Sequence, residues 1–148
     1  MDYLPYNELT KQEKKLVLEA EKAMKNSYNP YSFFYVGAAV LTGKGKIFSA
    51  ANMANGSSSV NLCAERAVIA TANSAGHRDI RAMAIIAKSG KNHYDDIITP
   101  CGVCRQFLFE IERITGKELQ IICVDPKKKS VLKATISELL PLPHTRSH

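Results

Sequence analysis

Long apolar runs are missing from this 148-residue chain: no stretch of about 18 apolar residues is present, so no helix-type membrane span is expected. It also lacks a signal-peptide pattern and any low-complexity tract. A soluble, unexported, cytoplasmic protein is therefore expected, with 1–148 folding as one domain large enough to bury a core without staples. The final stretch, PLPHTRSH at 141–148, is expected to be a disordered tail. Aromatic residues are few, with five Phe, six Tyr and no Trp, which leaves little from which to build a stacking groove for a polynucleotide. The four histidines, at 77, 93, 144 and 148, fall in loops or the tail and read as solvated. With only four cysteines, two of them in CxxC, a disulfide framework is a poorer reading than reduced metal ligands. The formal charge of +6 is no stronger a sign of nucleic acid, because Lys127, Lys128 and Lys129 follow Asp125 and Pro126 in what reads as a solvated turn.

What is present alternates between two periods. A helix is expected from about Thr10 to Lys25, opened by a Thr10/Glu13 capping box and striped by Leu16, Ala20, Ala23 and Met24. NPYS at 29–32 is a turn, and FFYVGAAVLT and GKIFSAAN form a hairpin around GKG. AERAVIATAN is a helix ending near Gly76, IRAMAIIAK a strand, and the run through a second cysteine-bearing helix to LQIICVD a βαβ crossover with parallel strands. The short DPKKK connection allows only an antiparallel return, which makes VLKAT a fifth strand and ISELLP a terminal helical turn. The expected fold is α/β: a three-layer α/β/α sandwich on a mixed five-stranded sheet, its site outside the strand ends.

Two stretches carry the chemistry, NLCAER at 61–66 and TPCGVCR at 99–105. Thr99 suits a helix N-cap and Pro100 the first helical position, which puts Cys101 and Cys104 on one face of a first turn. The positive end of the helix dipole favours their thiolates, the form that binds zinc. Cys63, at the start of the other helix, supplies a third sulfur. Three protein ligands leave one tetrahedral position for water, as in catalytic rather than structural zinc sites. Glu65 lies roughly 200° around the helix from Cys63, so the two converge only beyond the helix end. It stands beside the metal without ligating it, as a general acid/base for a zinc-bound water does. The competing reading is an all-thiolate structural site with Cys123 as fourth ligand. Against it, LQIICVD reads as a buried strand with Cys123 in the core, and the four-sulfur site leaves Glu65 unexplained.

CAE followed by PCxxC resembles the signature of the zinc-dependent nucleoside and nucleobase deaminases. Over nearly the whole chain the resemblance is to the small homotetrameric cytidine deaminases. It implies one Zn2+ per subunit, a homotetramer, a small-molecule nucleoside substrate, no membrane or nucleic-acid partner, and hydrolytic deamination of cytidine, 2′-deoxycytidine or a related cytosine nucleoside to its uracil product. YSFFYVGAA looks like the family's YSxFxVGAA, which implies that Phe34 packs on the substrate ring; a core role for Phe34 is the alternative. Asn52, 11 positions before Cys63, matches the family's ribose-binding asparagine. Backbone groups near Ala64 and Cys101 are implied to orient the amine. Where the family has NxE this chain reads NMA, so Ala54 stands in place of a sugar-binding glutamate. Blasticidin S deaminases share that absence, which makes a modified nucleoside the second candidate substrate. Arg66 and Arg105 adjoin cysteine ligands; a guanidinium on sulfur would offset the excess negative charge of three thiolates, a role expected of Arg66, with a surface position the alternative for Arg105.

Overall fold

The computed structural model describes residues 1–91 and 96–146, so the expectations for His93 and His148 lie outside the described residues. Elements follow in the order β1 (Asp2–Pro5), α1 (Lys11–Met24), β2 (Phe34–Thr42), β3 (Ile47–Ala51), α2 (Ala64–Ser74), β4 (Ile80–Ser89), α3 (Gly102–Thr115), β5 (Gln120–Val124), β6 (Ser130–Thr135) and α4 (Ile136–Leu139). They build one sheet in the order β1-β6-β5-β4-β2-β3, in which β4 and β5 are parallel and the other neighbouring pairs antiparallel.

The expected five strands are six. The extra one is β1, which lies antiparallel along β6 from Asp2↔Lys133 to Pro5↔Ser130. It has four residues, three of them exposed, so no alternation of apolar and polar residues announces it. Pro5 is tolerated because the strand is at the sheet edge.

The alternation of the strands divides the core into two layers. Val36, Ala38 and Val40 of β2, Met83, Ile85 and Ala87 of β4, and Ile121 and Cys123 of β5 face α2, α3 and α4. Ala39, Ala84, Ile86, Ile122 and Val124 face α1 on the other side. This is the three-layer sandwich expected from the sequence. Gly37 makes the α1 layer possible: a Cβ there would lie 2.0 Å from the Ala20 carbonyl oxygen. Thr10 and Glu13 form the expected capping box, and Glu13 and Glu21 of α1 also pair with Lys133 and Lys128 at 2.6 Å. The lysine turn is thus partly docked on α1, and Asp125, buried at its base, accepts the backbone N–H groups of Lys127, Lys129 and Ser130. Among the described residues, no helix is long and apolar enough to cross a membrane.

Candidate metal centre and catalytic pocket

Two helix N-termini, α2 and α3, open on the same side of the sheet, and each is capped by a cysteine. Cys63 is the N-cap of α2 and Cys101 the N-cap of α3, both extended and neither using its sulfur to cap the helix. The sulfurs are therefore available to a ligand. The helix α3 starts two residues later than expected: Thr99 and Pro100 precede the cap, and Cys104 sits in the first turn. The cause is Arg105, whose Nη2 donates to the Thr99 hydroxyl at 2.9 Å and whose Nε donates to the Pro100 carbonyl at 2.7 Å. Thr99 is thereby held away from the N–H groups that it would otherwise cap.

The ligand atoms of Cys63, Cys101 and Cys104 all lie within 4.8 Å of one another. All are free thiols, Cys104 buried and Cys101 exposed. A hydrogen bond from Cys104, reinforced by Arg66, lowers the pKa of Cys63 against the opposing effect of burial. The partner thiol, Cys104, is correspondingly raised by that hydrogen bond and by burial. Three clustered soft donors at two dipole-positive helix ends fit one zinc ion and leave a fourth position free. Cys123 is not in the cluster; it is fully buried in the layer facing α2 and α3, where burial raises its thiol pKa. Replacing it with serine is expected to leave zinc content at the wild-type level while lowering stability by about 1–3 kcal/mol for the buried hydroxyl, read by metal analysis and denaturant unfolding.

Glu65 is the second residue of α2, 4% exposed, and faces the same cavity as Cys63 and Cys101. Burial raises its pKa; its own backbone N–H opposes this and the charge of Cys63 adds to it. A carboxyl so placed keeps its proton to higher pH than an ordinary glutamate, which suits a proton carrier. The cavity has a volume of about 340 Å³, and Phe34, Asn52, Ala54 and Thr99 line it too. Phe34 is half-buried and also packs on the core, so both roles open to it from the sequence are compatible. Ala64 is fully buried in the core and is not among the lining residues.

Asn52 reaches the cavity with most of its hydrogen-bonding capacity used. Its Oδ1 accepts from Ser27 Oγ and from the Val36 N–H at 2.8 Å, and its Nδ2 donates to the Phe34 carbonyl at 3.0 Å. One amide N–H is left for a ligand. Arg66 does approach sulfur, Nη2 lying 3.9 Å from Cys63 Sγ while donating to the Asn61 carbonyl at 2.8 Å. Arg105 does not: its guanidinium donates to three oxygens, the third being the Leu139 carbonyl at 2.8 Å. Asn29 and Asn61 also line the cavity, without a site role expected from the sequence. Their signal was local: both sit next to assigned motifs, at the head of NPYS and NLCAER.

A fold of this kind, with three clustered thiols beside a cavity lined by two of them and by a buried glutamate, defines a zinc hydrolase site. The family profile described as the cytidine and deoxycytidylate deaminase zinc-binding region matches residues 10–117. A probable cytidine deaminase of Dictyostelium discoideum is 35% identical over 86% of this chain and 80% of its own. The crystal structure of cytidine deaminase from Burkholderia pseudomallei superposes with a TM-score of 0.78 and 32% identity, covering 92% of this chain and 100% of that one. A blasticidin-S deaminase of Bacillus cereus is 29% identical over 76% of this chain and 79% of its own. The chain belongs to the cytidine and deoxycytidylate deaminase family of zinc-dependent hydrolytic deaminases. Within it, the matches favour the cytidine enzymes over the blasticidin one.

Proposed function

We propose that this protein deaminates cytidine and 2′-deoxycytidine by hydrolysis, with Glu65 as the proton carrier. The observation that carries the reading is the clustering of the three sulfurs beside a cavity of about 340 Å³ that Cys63, Cys101 and the buried Glu65 line together. Cys63, Cys101 and Cys104 hold one zinc ion per subunit. Zinc, when bound, supplies the Lewis acidity that makes water a nucleophile at neutral pH. Glu65 accepts a proton from the attacking water and delivers it to N3 of the pyrimidine, while the new C4–O bond forms. It then carries a second proton to the amino group, the C4–N bond breaks, and ammonia leaves with the uracil product. Phe34 packs on the ring, Asn52 donates its remaining N–H to the sugar, and backbone groups at Cys101 orient the amine. Arg66 offsets the negative charge on Cys63.

The working form is a cytoplasmic homotetramer of one-domain subunits. Its support in this chain is a groove of about 780 Å³ between α2 and α3, walled by Ile69, Ile111 and the exposed Val103, Phe107 and Ile114, which a neighbouring subunit would cover.

At the sugar end of the cavity, Ala54 presents no acceptor, and among the described lining residues Glu65 is the sole acid. The described lining residues of this chain therefore offer sugar hydroxyls neutral hydrogen bonds, each contributing about 0.5–1.5 kcal/mol. 3′-Deoxycytidine is expected to keep kcat/KM within about tenfold of cytidine, whereas a fall of over 100-fold would reveal a charged acceptor. The test of the function is the ultraviolet absorbance change of zinc-loaded protein with cytidine, 2′-deoxycytidine, cytosine and blasticidin S. The two nucleosides are expected to turn over fastest; a preference for blasticidin S would overturn the assignment.

A further inference from the structure

We infer that Arg105 is a positioning residue which ties the loop carrying Cys101 to the C-terminal helix, so that retention of the metal depends on α4. The inference rests on reading the three cysteines as a zinc site. The guanidinium donates to three oxygens in two separate segments: Thr99 Oγ1 and the Pro100 carbonyl on one side, the Leu139 carbonyl on the other. The Pro100 carbonyl belongs to the peptide bond that leads into Cys101. Cys101 itself precedes the first helical residue and is exposed, and the Arg105 backbone N–H also donates to its carbonyl at 2.9 Å, so Arg105 holds this cap from both main chain and side chain.

The other end of the tie is built with equal care. Helix α4 has four residues, too few to persist alone. A Thr135/Glu138 capping box closes its N-terminus, and Ile136 and Leu139 bury it against the layer that contains Leu108 and Ile111 of α3. Its last carbonyls have no helical partner, and Arg105 satisfies one of them. A cation in the first turns of its own helix is otherwise unfavourable, because the dipole there is positive. The position of Arg105 in α3 thus makes sense through what it holds. The next residue acts on the same segment: Gln106 Nε2 donates to the His144 carbonyl at 2.9 Å, and the His144 N–H donates back to Gln106 Oε1 at 2.8 Å. Two consecutive residues after Cys104 therefore fasten the C-terminal segment along α3.

Groups that orient metal ligands from outside the coordination sphere typically change metal affinity by about 10–100-fold when removed. Arg105→Ala is expected to weaken zinc affinity by that factor in a chelator competition, without substrate present. Arg105→Lys, which keeps the charge but not the fork, is expected to recover part of the loss. Thr99→Val, a small change that should fold, is expected to weaken affinity by a few-fold, and less than additively when combined with Arg105→Ala. Arg81→Ala at the start of β4, where the arginine pairs with Asp79 at 2.8 Å, should have no effect. Zinc affinity within about twofold of wild type in Arg105→Ala, or equal losses in Arg81→Ala, would overturn the inference. Wild-type protein that binds no zinc in the same titration would instead overturn the proposed function.

Discussion

Glu65→Gln is expected to reduce kcat for cytidine by about 10⁴-fold or more while zinc content stays at one per chain. One positioned acid/base group contributes about 10²–10⁴-fold to a single proton transfer, and Glu65 serves several in one turnover. The substitution keeps the size of a side chain that is 4% exposed, so packing around α2 should survive it. Loss of rate without loss of metal separates a proton carrier from a ligand. The zinc-free protein offers a second reading of the same residue. Burial raises the folded-state pKa of Glu65 above its unfolded value, so the folded state binds its proton more tightly. The zinc-free wild type should therefore lose stability as the pH rises from about 4.3 through the folded pKa, and Glu65→Gln should remove that loss. Denaturant midpoints of the two zinc-free proteins across this range check it; parallel curves would argue against a buried, proton-holding carboxyl.

Cys101→Ser is expected to strip the metal and the activity together. Apparent binding free energies of about 10–16 kcal/mol for zinc spread over four ligands give roughly 3–4 kcal/mol for each, hence a 10²–10³-fold weaker site. Cys101 is the informative choice because it is exposed and outside the helix, whereas Cys104 is fully buried and its replacement would also disturb the core. Titration against a zinc chelator and the thermal melting of the zinc-free variant separate the two effects. A Cys101→Ser protein that keeps both zinc and turnover would remove it from the ligand set.

Much of this architecture was legible because the strong local signals agree with the tertiary fold. The Thr10/Glu13 box, the hairpin around Gly45 and the crossover from β4 through α3 to β5 all stand where periodicity and turn chemistry put them. The three cysteines were legible for the same reason: each lies at a helix start, and two helix starts on one side of a sheet must converge. What was not legible depends on partners distant in sequence. Strand β1 exists because β6 offers it an edge, with little pattern of its own. Thr99-Pro100 has the composition of a helix start, yet Arg105 claims both residues and moves the start to Gly102. That arginine was read through its neighbour Cys104, whereas its other partner, Leu139, is 34 residues away. Asn52 stands 11 positions before Cys63 and lines the cavity, but its bonds to Ser27, Val36 and Phe34 cannot be foreseen from spacing.

The most direct test of the central claim is to follow uridine and ammonia together when zinc-loaded wild-type protein is incubated with cytidine. The chemistry built around Cys63, Glu65, Cys101 and Cys104 predicts equal amounts of both products, and none from the Glu65→Gln protein carrying the same zinc. Stoichiometric zinc with no ammonia from cytidine or 2′-deoxycytidine would contradict it and leave the metal a structural role.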